Sequence, residues 1–259
     1  MRIQLWLRPQ QGSTAVPINY GYPLSAAIYK ILQQASPDYA AFLHDRGYAA
    51  SSGRLMKLFT FSKLWIPGVR LEGETLKGNQ EPWGLQVSSP MLDEFVRNFM
   101  LGLFESSKLV LAVNKFHAEF LIEEIQMVPL PEFKSITRCK CLSPIVVSTM
   151  HEKDGRVRPY YYRPYDEGLS IALQKNLLQK HQIIYGRRYE DERIVFRIDP
   201  FASPKSKLIT LKEGTEAETR IKAFETYFIM EGSTELMKVA WECGLGEHNS
   251  QGFGMIAVV

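Results

Sequence analysis

Apolar residues alternate with polar ones at Ile3, Leu5 and Leu7, which predicts a first strand with one buried face. A turn-rich stretch, Pro9 to Gly21, separates it from a helical stripe of Leu24, Ile28, Ile31 and Leu32, with Tyr29 on its edge. The next helix is punctuated at both ends: Ser36 as N-cap, Pro37 at the first helical position, Asp38 in the first turn and Gly47 past the end. His44 therefore falls in its last turn. Beyond a small polar loop, Ala49 to Arg54, the run Leu58-Phe59-Thr60-Phe61-Ser62 alternates as a strand with Lys57 at its entrance. Turn residues between Pro67 and Pro82 predict a hairpin connection, followed by a short strand from Leu85 to Ser88. Leu92, Phe95, Val96, Phe99, Met100 and Leu103 form the strongest helical stripe, all read as core, and strands at Leu109 to Val113 and Phe116 to Met127 follow.

The order strand, helix, strand, strand, helix, strand is the split arrangement of a ferredoxin-like or RNA-recognition-motif fold. Pro129 and Pro131 interrupt it, and the order then repeats. A strand through Ile145 to Thr149, a helix from Asp166 to Lys180, strands at Ile194 to Ile198 and Lys207 to Leu211, and a long strand from Phe224 to Met230 are expected. A helix burying Leu236, Val239, Ala240 and Cys243 comes next. The fold class expected is α+β, with two tandem ferredoxin-like domains over residues 1–128 and 129–259. The duplication rests on pattern, since the halves share no sequence repeat.

Between that helix and a terminal strand, Met255 to Val259, lies Gly244-Leu245-Gly246-Glu247-His248-Asn249-Ser250-Gln251-Gly252-Phe253-Gly254. Its glycines permit positive φ and close approach, so a flat or anionic ligand is expected against it; the alternative is a flexible connection. The order helix, loop, strand, without Gly-Lys-Ser/Thr, excludes both the mononucleotide P-loop and the dinucleotide fingerprint.

At 45% hydrophobic and 23% charged residues the chain reads as an ordinary globular protein. No apolar run reaches the roughly 18 residues of a membrane span, and the first residues lack a signal-peptide core, so a cytoplasmic protein is expected. Cys139, Cys141 and Cys243 are expected to be reduced and buried, too few ligands for structural zinc. His117, His151, His181 and His248 show no paired-ligand spacing, and neither metal nor cofactor is expected.

Net charge is only +3, so a nucleic-acid surface would require local clusters. Arg156, Arg158 and Arg163 interleave with Tyr160, Tyr161, Tyr162 and Tyr165, and Arg187, Arg188 and Tyr189 make a shorter example. Guanidinium groups pair with phosphates and tyrosines stack on unpaired bases, which suits single-stranded RNA. A solvated hairpin with packed tyrosines is the alternative for either segment. At a helix C-terminus, His44 can hold a proton and release it, or serve only as a surface cap.

The glycine loop, the segment Phe42-Leu43-His44-Asp45 and the run Lys57-Leu58-Phe59-Thr60-Phe61-Ser62 together resemble the CRISPR-associated Cas-six endoribonucleases of the RAMP superfamily, along the whole chain. The resemblance implies metal-independent cleavage of a CRISPR precursor transcript: a ribose 2′-OH attacks the adjacent phosphate, leaving a 2′,3′-cyclic phosphate and a 5′-OH. By position it assigns His44 as general base or acid, Lys57 as stabiliser of phosphorane charge and Tyr29 as positioning donor or proton-transfer partner. Gly244, Gly246, Gly252, Phe253, Gly254 and the five arginines named above become RNA contacts. The loop between His44 and Lys57 looks longer than in close relatives and carries Arg46 and Arg54, so Arg54 or Lys63 stands as an alternative cation. The implied partners are CRISPR repeat RNA, as precursor and mature guide, with further subunits of an interference complex or a second copy of the chain. Two other readings remain: a RAMP subunit that holds guide RNA without cutting it, and a ferredoxin-like regulator binding a small metabolite.

Overall fold

The computed structural model describes the chain apart from Gln11, Ser13, Ser51, Asn114, Lys115, Asp154 and Glu192 and the side chains of Val113 and Lys153, so parts of the expected turn-rich stretch and of the Ala49 to Arg54 loop lie outside the described residues. The first half is built on a five-stranded antiparallel sheet in the order Thr60–Phe61, Trp83–Ser88, Arg2–Pro9, Phe116–Val128, Lys108–Val113. Arg2–Pro9 lies between Trp83–Ser88 and Phe116–Val128, which is the ferredoxin-like order, with Lys108–Val113 as an added strand that extends the edge. Helix α1 (Gly21–Ala35) buries Leu24, Ala27, Ile28, Ile31 and Leu32, and α2 (Pro37–Asp45) follows at once. Helix α3 (Arg97–Ser106) meets α1 at Gly102, where a Cβ would stand 2.0 Å from Ile31 O.

The expected six-residue core stripe on α3 is corrected at its start, for Leu92 is 50% exposed and Met100 only half-buried. The helix begins with a π-turn, Leu92–Val96, in which Val96 N–H donates to Met91 O over five residues. That wider turn rotates Leu92 off the face defined by Phe95, Phe99 and Leu103.

The second half has a four-stranded antiparallel sheet, Ile194–Ile198, Tyr227–Gly232, Ile136–Cys141, Ile256–Val258, with α4 (Leu169–Tyr185) and α5 (Thr234–Cys243). Its strands take the same ferredoxin-like order. They differ from the expected ones in two places. The sheet opens with Ile136–Cys141, whereas Ile145 makes only an isolated bridge to Phe224 and the chain then runs into the hairpin Ser148–Lys153/Arg156–Tyr161. The long strand Phe224 to Met230 is broken at Thr226: Thr219–Glu225 pairs with Lys205–Leu211 in a separate hairpin, and only Tyr227–Gly232 joins the sheet.

Each half has its own apolar core, and one segment stitches them. Met56 and Leu58 enter the second core, while Phe59 and Phe61 enter the first. To change sides, Leu58 takes φ +50, outside the strand region, so the expected strand Leu58 to Ser62 shrinks to Thr60–Phe61. A second link is Arg2, buried at the sheet junction, which donates to Ile256 O at 2.9 Å and Trp241 O at 2.6 Å and stacks 3.9 Å from the Trp241 ring centroid. Among the described residues no helix is long and apolar enough to cross a membrane.

Candidate active site

The three side chains singled out from α1, the end of α2 and the stitching segment stand together. The Tyr29 and His44 rings meet edge to face with centroids 5.5 Å apart, and Tyr29 makes a similar contact with Phe59 at 5.7 Å. Lys57 Nζ donates to His44 O at 2.7 Å. Local sequence explains each placement. Ser36 Oγ accepts from Tyr39 N–H to start α2, and the amides of Arg46 and Gly47 both donate to Phe42 O to end it. Gly47 has φ +70, and a Cβ there would meet Met56 O at 2.6 Å and Lys57 Cδ at 2.9 Å. The glycine that closes the helix also makes room for the lysine stem.

The electrostatics differ at the three positions. His44 Nδ1 lies 2.8 Å from Asp45 Oδ1. An ionised carboxylate only accepts, so the ring donates through Nδ1 and turns Nε2 outward, from a side chain 72% exposed. Burial pushes the Tyr29 phenol well above its ordinary value, against a smaller opposing effect of its hydrogen bond with Ser250, which leaves it protonated at neutral pH. Partial burial lowers the Lys57 ammonium below the usual lysine range, and Asp45 opposes that shift.

The glycine loop faces Lys57 across a cavity and meets Tyr29 at Ser250. A cavity of about 250 Å³ lies between the segment Arg54–Leu58, α4 and the stretch Gly246–Gln251. Ser25 Oγ donates to Ser250 O at 2.6 Å and Thr60 Oγ1 to Phe253 O at 3.0 Å, fastening the loop to the first half. The glycines serve this docking. A Cβ on Gly246 would stand 2.0 Å from Val146 O, on Gly254 2.0 Å from Leu245 O, on Gly252 2.9 Å from the Phe61 ring and on Gly244 2.8 Å from Asn249 Nδ2. What lies against the glycines is therefore the protein itself. Phe253 is likewise buried, packed with Val146, Leu211 and Ile221, and offers no face to a base. The part of the loop that borders the cavity is its polar middle, including His248, whose Nδ1 is 2.8 Å from Gln251 Oε1.

Of the alternative cations, Arg54 is paired with the buried Glu247 at 2.9 Å and Lys63 with Glu225 at 2.7 Å, away from His44. The arginine clusters do not converge. Arg156 and Arg158 lie exposed on the hairpin strand Arg156–Tyr161, and Arg163 precedes α4, whereas Arg187 and Arg188 follow its other end. A 17-residue helix separates the two groups by roughly 25 Å. Their tyrosines are partly committed elsewhere: Tyr160 donates to Asp166 at 2.7 Å, and Tyr189 accepts from Ser233 Oγ at 2.9 Å and stacks on His181.

Lys180 was not singled out by the sequence. It lies on the inward face of α4, 2% exposed, and its ammonium donates to Gly244 O at 2.7 Å, Gly246 O at 2.9 Å and Asn249 Oδ1 at 2.7 Å. Its only trace was a lysine on the apolar face of a predicted helix, with Leu177 one turn and Leu173 two turns before it. The three cysteines are free; burial pushes the thiols of Cys139 and Cys243 up to about 12, which keeps them protonated and unreactive.

Comparison with known proteins agrees over the whole chain. Residues 15–126 match the family model of the N-terminal part of CRISPR-associated protein Cas6, and residues 128–258 match that of CRISPR-associated protein Cas6, C-terminal. The chain is 32% identical over 262 residues to a CRISPR-associated endoribonuclease Cas6 of Methanocaldococcus jannaschii, covering 100% of this chain and 93% of the relative. It is 26% identical over 264 residues to a CRISPR-associated endoribonuclease Cas6 of Pyrococcus furiosus, covering 100% and 90%. A solved structure described as CRISPR associated protein Cas6 superposes with a TM-score of 0.80 at 30% identity, covering 100% of this chain and 99% of the other. With both family models matched in order and a full-length relative above 30% identity, the chain belongs to the Cas6 family of CRISPR-associated proteins.

Proposed function

We propose that this chain is a metal-independent endoribonuclease that binds CRISPR repeat RNA and cleaves the precursor transcript. The observation that carries the reading is the convergence of Tyr29, His44 and Lys57 beside the polar middle of the glycine loop, at the seam of the two halves. The relatives' endoribonuclease names support the reaction class.

The chemistry follows from the side chains. Removal of the 2′-OH proton lets that oxygen attack the adjacent phosphorus; the bond from phosphorus to O5′ breaks, and O5′ takes up a proton. The products carry a 2′,3′-cyclic phosphate and a 5′-OH. His44 suits the proton transfer, because its outward Nε2 is fixed by the Nδ1 contact with Asp45. Tyr29 remains protonated and positions the loop through its hydrogen bond with Ser250. Lys57, tethered to the backbone carbonyl of His44, supplies a positive charge at the end of α2, suited to the negative charge that gathers on the phosphorane. Exposed Arg156, Arg158, Arg163, Arg187 and Arg188 extend phosphate contacts along the second half.

The test is single-turnover cleavage of the repeat RNA encoded with the gene, in EDTA, with wild type and His44→Ala, beside a substrate carrying one 2′-deoxy nucleotide upstream of the cut. Wild type is expected to leave a cyclic phosphate, to spare the deoxy substrate and to lose about 10²- to 10⁴-fold in rate on His44→Ala at unchanged affinity. RNA that binds and is recovered intact would make this a guide-holding subunit instead.

A further inference from the structure

The inward face of α4 carries Asn176, Lys180 and His181, all buried, where its neighbours Leu169, Leu173 and Leu177 are apolar. Burying an ammonium is unfavourable unless its donors are satisfied, and all three protons of Lys180 reach an acceptor. Those acceptors belong to one short stretch, Gly244 to Asn249, and to nothing else.

Two of them are carbonyls of successive loop glycines turned toward the same point. The peptide groups behind them are held from the other side, for Leu245 N–H donates to Gly254 O at 2.8 Å and Glu247 N–H to Val146 O at 2.7 Å. The third acceptor, Asn249, donates its own amide to Leu245 O and Phe253 O at 3.0 Å each. The ammonium is thus the point on which the loop is folded, and the cavity beside Lys57 is bounded by the stretch so folded.

We propose that Lys180 is a positioning residue for RNA capture: its buried ammonium gathers Gly244 O, Gly246 O and Asn249 Oδ1 and so holds the loop in the shape that receives repeat RNA. The proposal rests on the nuclease reading above and adds to it a requirement for a protonated group outside the Tyr29, His44 and Lys57 trio.

The groups facing Lys180 are Cys243 at the end of α5, Arg54 on the stitching segment and Glu247 in the loop, the last two paired with each other. Desolvation dominates and pushes the amine down to about 8; Cys243 and Glu247 oppose the shift and Arg54 adds to it. A neutral amine has only two protons for three acceptors and turns a lone pair toward a carbonyl. Because the folded value lies below the ordinary lysine value, the unfolded chain binds more protons from about pH 8 to about pH 10.4, and this group's contribution to global stability rises there. Loss of the proton removes one donor from the loop while the linkage raises global stability, so a fall in RNA affinity over this range is not a sign of unfolding.

The experiment measures the affinity of wild type and Lys180→Met for the repeat RNA carrying a 2′-deoxy nucleotide at the cut, from about pH 6.5 to about pH 9, with unfolding temperatures alongside. With its amine pushed down to about 8, Lys180 is mostly protonated near pH 7 and mostly neutral near pH 9. Wild type is expected to bind at least about tenfold tighter than the variant near pH 7, and the ratio is expected to fall toward one by about pH 9 while the wild-type unfolding temperature holds. Charge changes elsewhere in the site are common to both proteins and cancel in the ratio. Equal affinities, or a ratio independent of pH, overturn the proposal and leave the nuclease reading standing; a wild type that binds no repeat RNA overturns both. If Lys180→Met does not fold, the profile of Lys57→Met, which keeps Lys180, decides: affinity flat over this range overturns the proposal, and a fall at constant unfolding temperature supports it.

Discussion

Replacing Gly246 by alanine separates two reasons for a glycine at one position. Gly246 has φ +68 and Gly73, in the turn of the hairpin Arg70–Glu72/Thr75–Lys77, has φ +59. Both are left-handed, so alanine costs about 1–2 kcal/mol at either, less about 0.5 kcal/mol from the stiffer unfolded chain. They differ in what a Cβ meets: nothing within 4 Å at Gly73, but Val146 O at 2.0 Å at Gly246. Relief of that contact needs a shift of an ångström or more. Such a shift breaks the 2.7 Å bond from Glu247 N–H to Val146 O and draws Gly246 O away from Lys180 Nζ. Each of these two buried bonds, if lost, costs about 1–3 kcal/mol, so Gly246→Ala is expected to destabilise by about 2–6 kcal/mol more than Gly73→Ala in equilibrium urea unfolding. Affinity for an uncleavable repeat RNA is expected to fall at least about tenfold for Gly246→Ala and to stay within about twofold for Gly73→Ala, since a loop forced off its seat no longer faces Lys57. Equal destabilisation by the two substitutions would refute the docking argument.

Lys57→Met is expected to lower the single-turnover rate about 10²-fold at neutral pH, as loss of a transition-state cation does. Because burial lowers the Lys57 ammonium, its charge is lost as pH rises before ordinary lysines titrate, so the wild-type rate should decline at alkaline pH while Lys57→Arg keeps its rate there. Tyr29→Phe keeps the ring contacts with His44 and Phe59 but loses the phenol bond to Ser250; a fall of about tenfold fits positioning, and a fall beyond about 10²-fold would make Tyr29 the general acid.

Most of the first half was legible because its signals are local. The cap at Ser36, the stop at Gly47 and the alternation of Ile3, Leu5 and Leu7 act within one element, and the structure keeps them. The second half was harder where burial depends on partners remote in sequence. Ile136–Cys141 reads Ile-Thr-Arg-Cys-Lys-Cys, and its inward positions are Thr137 and Cys139, which are buried without being strongly apolar. Phe224 to Met230 looked continuous because no turn residue marks Thr226, although two different sheets claim its two ends. Leu58 hid its turn for the same reason, since a leucine at positive φ carries no sequence signature.

The site divides in the same way. Helix punctuation placed His44 and the aromatic strand placed Lys57, but their roles, like that of Tyr29, came from the family resemblance and not from either local signal. The glycines were visible too, but composition suggested a ligand against them, whereas the structure fills that space with Val146, Leu245, Phe61 and Thr60. The two observations have one explanation. A loop that must stand over Lys57 while its ends dock on both halves has to bring backbone within van der Waals contact of backbone, which only glycine permits, and its carbonyls then need an internal donor. Lys180 is that donor, contributed by α4 more than 60 residues away, so no spacing rule near the loop could have pointed to it. The glycines and the buried lysine form one device, and what it holds at the cavity edge is the polar stretch from His248 to Gln251, across from Lys57.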